Sequence, residues 1–259
     1  RIGKENPSLT KFCIMGAHCD NTLDQGDCMG RIYGADDNGS GISAVLEACR
    51  VMQNYTFKNT VLFAGLNCEE KGLRGSRALA KYFSDNDFEV IGGIITYDMI
   101  SHAKSGDNTV RFHYSTDVQG NDDFADLLVS ASETYNTIGE VRLNGTTSVP
   151  SDVTCFWEKD IPGVCGIESS FFSGLHSLAD SIGEGTNSFE YHAKVTRTGI
   201  ATLATVAEPI EATQAKKEYF SGTENQKITI SYNSNRQIIF YLKSNHKNGP
   251  ISLRLYNVS

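Results

Sequence analysis

The apolar run Val61-Leu62-Phe63-Ala64 leads within a few residues into Leu66-Asn67-Cys68-Glu69-Glu70-Lys71-Gly72-Leu73-Arg74-Gly75-Ser76. Such a run reads as a buried strand. Glycines and a helical pattern follow the two acids, so the chain turns back over the sheet it has just left. The exits of strands in α/β sheets are where ligands and chemistry collect. A solvated loop with two surface acids would account for Glu69 and Glu70 taken alone. A catalytic pairing accounts for their adjacency: one carboxylate binds a metal and its neighbour takes a proton from water.

The rest of the chain repeats this strand-to-helix alternation. Strand patterns cover Lys11 to Ala17, Val61 to Asn67, Val90 to Asp98, Thr109 to Tyr114 and Gly163 to Ile167. Helical spacing connects Ile42, Val45, Leu46, Cys49 and Met52; then Leu73, Leu79, Ala80 and Phe83; then Phe124, Leu127, Leu128 and Ala131. A short helix is expected over Val153 to Glu158 and a long one over Phe189 to Val206. Alternation of this kind predicts an α/β fold, a mixed but mostly parallel sheet with helices on both faces. Beyond Pro209 the pattern changes. We expect a catalytic domain over 1–209, a linker over 210–216 and an accessory β element over 217–259, marked by Ile228-Thr229-Ile230, Ile238 to Leu242 and Ile251 to Tyr256. About 40 residues is too little for an independent sandwich.

The 259 residues suit one large α/β domain or a domain with an appendage; the net charge is -8, and nothing basic clusters enough to suggest nucleic acid. No apolar stretch approaches the roughly 18 residues of a membrane span. Seven cysteines include no C-x-x-C pair, so a cysteine zinc cluster is not expected. Cys13, Cys49 and Cys68 lie in apolar patterns and read as small buried hydrophobes. Cys155 and Cys165, ten apart, form a candidate local disulfide. The motifs Asn54-Tyr55-Thr56 and Asn144-Gly145-Thr146 are N-glycosylation acceptors by pattern, which alone does not fix a compartment.

Further acids and histidines fall at the other strand exits: His18-Cys19-Asp20, Gly34-Ala35-Asp36-Asp37-Asn38-Gly39-Ser40-Gly41, Asp98, and Ser173-Gly174-Leu175-His176-Ser177-Leu178-Ala179-Asp180. Each has an ordinary explanation alone. Asp36-Asp37-Asn38, for instance, suits a helix N-cap. Together they form a carboxylate and imidazole set without thiolate, which suits catalytic zinc, with manganese or cobalt as alternatives.

With Ser151-Asp152 added, these motifs over residues 11 to 207 resemble the zinc-dependent aminopeptidases of the leucyl-aminopeptidase type, metallopeptidase family twenty-eight. The resemblance implies a zinc exopeptidase-like fold and two zinc ions per chain. It implies Asp36 as the shared ligand, His18 and Asp98 completing one site, and Glu70 and His176 the other. Glu69 would be the general base acting on a water between the ions. Asp20 would orient His18, with Asp37, Asp152 and Asp180 as outer supports, and the Asp36–Asp37 peptide would be cis. The substrates implied are peptide or protein N-termini, and we expect a secreted or extracytoplasmic location. The family's domain normally starts with a further helix and strand, implying that Arg1 is an internal start. Two positions depart from the pattern. Leu175 stands where many relatives have tyrosine, and Val153 where histidine often follows Ser-Asp. A single-zinc glutaminyl cyclase shares this architecture, as does a binding protein that has lost its metals. The intact ligand set favours the peptidase. The residues do not specify the preferred N-terminal residue or the oligomeric state.

Overall fold

The computed structural model describes residues 11–22, 33–183 and 187–211, together with the backbone of three short strands beyond them. Its elements in chain order are β1 (Lys11–His18), α1 (Gly39–Met52), β2 (Thr56–Phe57), β3 (Thr60–Leu66), α2 (Arg74–Asp85), β4 (Glu89–Tyr97), β5 (Thr109–Ser115), α3 (Asn121–Tyr135), β6 (Glu140–Thr146), α4 (Thr154–Trp157), β7 (Gly163–Glu168), α5 (Phe189–Ala207), β8 (Pro209–Glu211), β9 (Ile228–Tyr232), β10 (Ile238–Leu242) and β11 (Ile251–Leu255). The central sheet has the order β3-β1-β4-β7-β5-β6. All neighbours run parallel except β5, which is antiparallel to β7. The mixed, mostly parallel sheet is therefore as expected, as is a small antiparallel sheet, β11-β10-β9, near the C-terminus.

Alternation along β1 sorts the core into two layers. Cys13, Met15 and Ala17 face one cluster, packed with Ala44, Val45 and Ala48 of α1, Leu128 of α3, and Val195 and Leu203 of α5. Ile14 faces the other, with Ala80 and Phe83 of α2 and Phe156 and Trp157 of α4. Phe156 and Trp157, which could equally have lined a substrate pocket, are core residues.

Three strands escaped the sequence pattern. β2 and β8 pair antiparallel with each other, so residues 210 and 211, the start of the expected linker, lie in a strand tied to the residues after α1. β6 is an edge strand none of whose residues is buried, so no apolar run signals it. No helix among the described residues is long and apolar enough to cross a membrane.

The sheet order places a switch point at β1, whose neighbours β3 and β4 are both reached by later crossovers. The carboxyl ends of β1, β3, β4 and β7 share one edge. α1 opens over that edge. Asn38 Oδ1 accepts from the Gly41 amide at 2.9 Å, while its Nδ2 donates to the Tyr97 carbonyl at 2.7 Å. The fit is close: a Cβ on Gly41 would lie 2.8 Å from the Tyr97 carbonyl oxygen and 2.9 Å from Ala17 Cβ. Only glycine lets the helix start approach both strands.

Candidate metal centre

His18 is the last residue of β1 and is buried. Its Nδ1 donates to the Asp20 carbonyl at 3.0 Å, which fixes the tautomer and leaves Nε2 facing inward. Nε2 stands 3.2 Å from Asp37 Oδ1 and 3.2 Å from Asp98 Oδ1. On the other side of Asp37, His176 Nε2 stands 3.1 Å from Asp37 Oδ2 and 3.2 Å from Glu70 Oε2. Asp37 thus divides its two oxygens between two histidine–carboxylate clusters. Zinc bonds of about 2.0–2.1 Å in a tetrahedron put neighbouring ligand atoms about 3.3 Å apart. The observed separations fit that shell without rearrangement. Two trios, His18–Asp37–Asp98 and Asp37–Glu70–His176, each bring their ligand atoms within 4.8 Å of one another. Glu70 Oε1 is buried with no hydrogen-bond partner among the described residues, and so is Asp36 Oδ2, outside the two trios.

This geometry corrects one expectation. Asp37, not Asp36, lies between the histidines. Asp36 points away from them: its Oδ1 accepts from the Ser101 amide at 2.8 Å and the Ser101 hydroxyl at 2.7 Å. Neighbouring side chains in a turn project in different directions, and residue spacing could not choose between two adjacent acids. The cis peptide is displaced likewise. It joins Asp37 to Asn38 rather than Asp36 to Asp37.

The outer acids clamp main-chain amides. Asp20 reaches His18 chiefly through its carbonyl; its carboxylate accepts from the amides of Glu69 at 3.0 Å and Glu70 at 3.3 Å. Asp180 accepts from the amides of Asp36 at 2.8 Å and Asp37 at 3.0 Å. Asp152 is buried beneath the site, with Oδ1 unpartnered among the described residues. Sequence reasoning missed Glu168, Ser101 and Asn187, whose Nδ2 donates to Ser101 Oγ at 2.6 Å. An acid closing an apolar strand was the signal that picked out Asp98, and Glu168 at the end of β7 carries the same signal.

Crowded acids in a buried setting hold protons. Burial, then the Asp98 carboxylate, push Glu69 up to about 8. Burial and Asp37 push Glu70 up to about 7, and burial raises Asp152 to about 7. Burial and then Asp36 raise Glu168 to about 10. Burial alone would lower His18, but the carboxylates of Asp37 and Asp98 overcome it and push the imidazole up to about 12. Each of these shifts is one that a bound cation would oppose.

The proposed disulfide is absent. Cys155 and Cys165 are free and buried, with thiols directed to different acceptors, the Leu73 carbonyl at 3.7 Å and Ser151 Oγ at 3.5 Å.

The chain is similar to several known proteins. The model of Peptidase family M28 matches residues 1–218. A probable zinc metalloprotease of Pyrenophora tritici-repentis is 31% identical over 116 residues, covering 43% of this chain and 25% of that protein. Leucine aminopeptidase 1 of Trichophyton equinum is 37% identical over 100 residues, covering 36% of this chain and 26% of that protein. The chain spans about a quarter of the length of these curated relatives. Among solved structures, the LapA aminopeptidase of Legionella pneumophila is 27% identical with a TM-score of 0.63, covering 77% of this chain and 52% of that one. The zinc aminopeptidase BSAP of Bacillus subtilis, 22% identical with a TM-score of 0.66 over 80% of this chain and 48% of that one, shares the fold. With residues 1–218 of its 259 matched by the family model, the chain belongs to peptidase family M28.

Proposed function

We propose that this chain is the catalytic part of an aminopeptidase that removes the N-terminal residue of peptides with two zinc ions and Glu69 as general base. The observation that carries the reading is the division of Asp37 between two histidine–carboxylate clusters, with Glu69 adjoining one of them. A single-zinc cyclase needs one cluster, and a binding protein needs neither. When bound, two divalent ions would acidify a shared water and polarise the scissile carbonyl. His18, Asp37 and Asp98 would hold one ion, and Asp37, Glu70 and His176 the other.

The remaining steps fall to the protein. Glu69 is half-buried, and its amide is held by Asp20. Its raised proton affinity suits a base that takes the proton of the attacking water and later gives it to the leaving amine. The free α-amine of a peptide, which an internal residue cannot present, would be the anchor that makes the reaction exopeptidic. An extracytoplasmic location belongs to the same proposal, since the acceptors Asn54 and Asn144 are both exposed.

The decisive experiment is Glu69→Gln. It should keep both ions by elemental analysis and lose about 10²–10⁴-fold in kcat on an aminoacyl-p-nitroanilide. A variant with near-wild-type kcat would remove Glu69 from the mechanism.

A further inference from the structure

Glu168 closes β7 and is almost wholly buried. Its Oε2 accepts from the His102 amide at 2.7 Å and its Oε1 from the Phe172 amide at 3.0 Å. Its own amide donates to the Met99 carbonyl at 2.9 Å. His102 lies in the segment that leaves Asp98, and Phe172 in the segment that leads to His176. The rings of His102 and Phe172 meet with centroids 5.3 Å apart. Asp107 repeats the pattern at the far end of the first segment, accepting from Ser169 Oγ at 2.6 Å and from the Ser170 hydroxyl. Ser101, next to His102, is in turn held by Asp36, the neighbour of the shared ligand.

We infer that Glu168 is a positioning residue: it holds the segment carrying His176 against the segment carrying Asp98, and so sets how the two histidine–carboxylate clusters face each other. Two oxygens on one side chain are what the task requires. Each oxygen keeps a lone pair whether or not the carboxyl holds a proton, and each satisfies a main-chain amide from a different segment, in a place water does not reach. Glutamine has the same shape but a single acceptor, and its amide group would oppose whichever main-chain N–H it met. Leucine offers no acceptor. The consequence for metal rests on the two-ion reading proposed above; the geometry does not.

Two measurements on the full chain separate these. Amide hydrogen exchange is followed in metal-free wild type, Glu168→Gln and Glu168→Leu. Zinc binding is then titrated against a chelator of known affinity. Glu168→Gln should speed exchange at His102 or Phe172 by about tenfold or more while β1, β3 and β4 keep wild-type protection. It should weaken the ion at His176 by about 10–100-fold, the usual effect of losing an outer partner, and the ion at His18 by less. Wild-type exchange at both amides would overturn the assignment, as would a uniform loss of protection across the sheet. Wild type that takes up one ion would count against the two-ion reading, and the exchange data would still decide the role of Glu168. Should Glu168→Leu fail to fold, Glu168→Gln carries both measurements alone.

Discussion

Asp37→Asn removes one charge from between two imidazoles while preserving side-chain size. The two carboxylate oxygens that share this charge stand 3.2 Å from His18 Nε2 and 3.1 Å from His176 Nε2. At an effective dielectric near 20, a unit-charge pair at such a distance is worth about 5 kcal/mol, so the loss falls on both clusters at once. Losing an outer partner costs a metal roughly 10–100-fold in affinity, and a shared ligand must count for more than that. We expect Asp37→Asn to weaken both ions by more than about 100-fold. Asp36→Asn, one residue away and chemically identical, is the control. It keeps an oxygen able to accept from Ser101 and loses charge assistance in two hydrogen bonds, a cost of about 1–3 kcal/mol. That corresponds to a melting temperature lower by about 2–4 °C per kcal/mol, with both ions retained. Each variant is dialysed at a buffered free zinc level about tenfold above the wild-type dissociation constants, then analysed for metal per chain and melted by calorimetry. Two full ions in Asp37→Asn, or depletion of both in Asp36→Asn, would refute the reasoning from geometry and return the shared role to Asp36.

Other consequences are as direct. Zinc ligation needs a bare imidazole, yet His18 is pushed up to about 12 in the metal-free site, so loading at pH 7 should release at least about one proton per chain; calorimetric heats that do not vary with the buffer's ionisation enthalpy would contradict this. His18, Glu69, Glu70 and Asp152 all bind protons more tightly folded than unfolded. The His18 contribution is fully present below its ordinary value of 6.5 and fades toward about 12. The metal-free protein should therefore lose stability as pH rises through the neutral range, and denaturant midpoints that instead climb with pH would exclude it. Gly75→Ala would place a Cβ 2.5 Å from the backbone N and O of Asn67, the residue leading to Glu69 and Glu70. We expect a loss of about 1–3 kcal/mol with weaker metal binding, checked by urea unfolding, and unchanged stability would show that the strand exit yields freely. Cys155 and Cys165 should both react with a thiol reagent after denaturation without reductant, and protection of the pair would reinstate the bridge.

Long strongly patterned elements were legible in the chain, because burial dictates period. β1, β3, β4 and β7 are apolar runs that end in, or lead directly into, polar residues, and α5 repeats its buried positions over five turns. The two-residue β2 and the edge strand β6 bury too little to leave a pattern. At the site, residue types and strand exits identified His18, Glu70, Asp98 and His176, all of which the fold brings to the clusters. The choice between Asp36 and Asp37 depends on which way a turn aims each side chain, which no spacing encodes. The roles of Asp20 and Asp180 as acceptors for main-chain amides were out of reach for the same reason: hydrogen bonds to backbone leave no mark on residue identity beyond an acid. The cysteine pair failed because proximity in sequence says nothing about the direction of a thiol. Expectations for residues 212–216 and for the surroundings of β9, β10 and β11 lie outside the described residues.

The reversed direction of β5 has a consequence for descent. Because β5 runs against β7, the segment after Asp98 leaves the sheet at the end of β4 and rejoins it at the start of β5, on the same edge. The segment bearing His176 likewise leaves β7 at that edge, and α5 begins near it, where the Ser188 amide donates to the Ser101 carbonyl at 2.7 Å. Lengthening or shortening either segment between its tethers shifts no strand register and disturbs neither core layer. Loop closure adds only about 0.6 kcal/mol for each doubling of length. Descendants of such a chain can therefore remodel what they accept at the mouth of the site, in stretches that leave His176 in place, while inheriting its ligand cage.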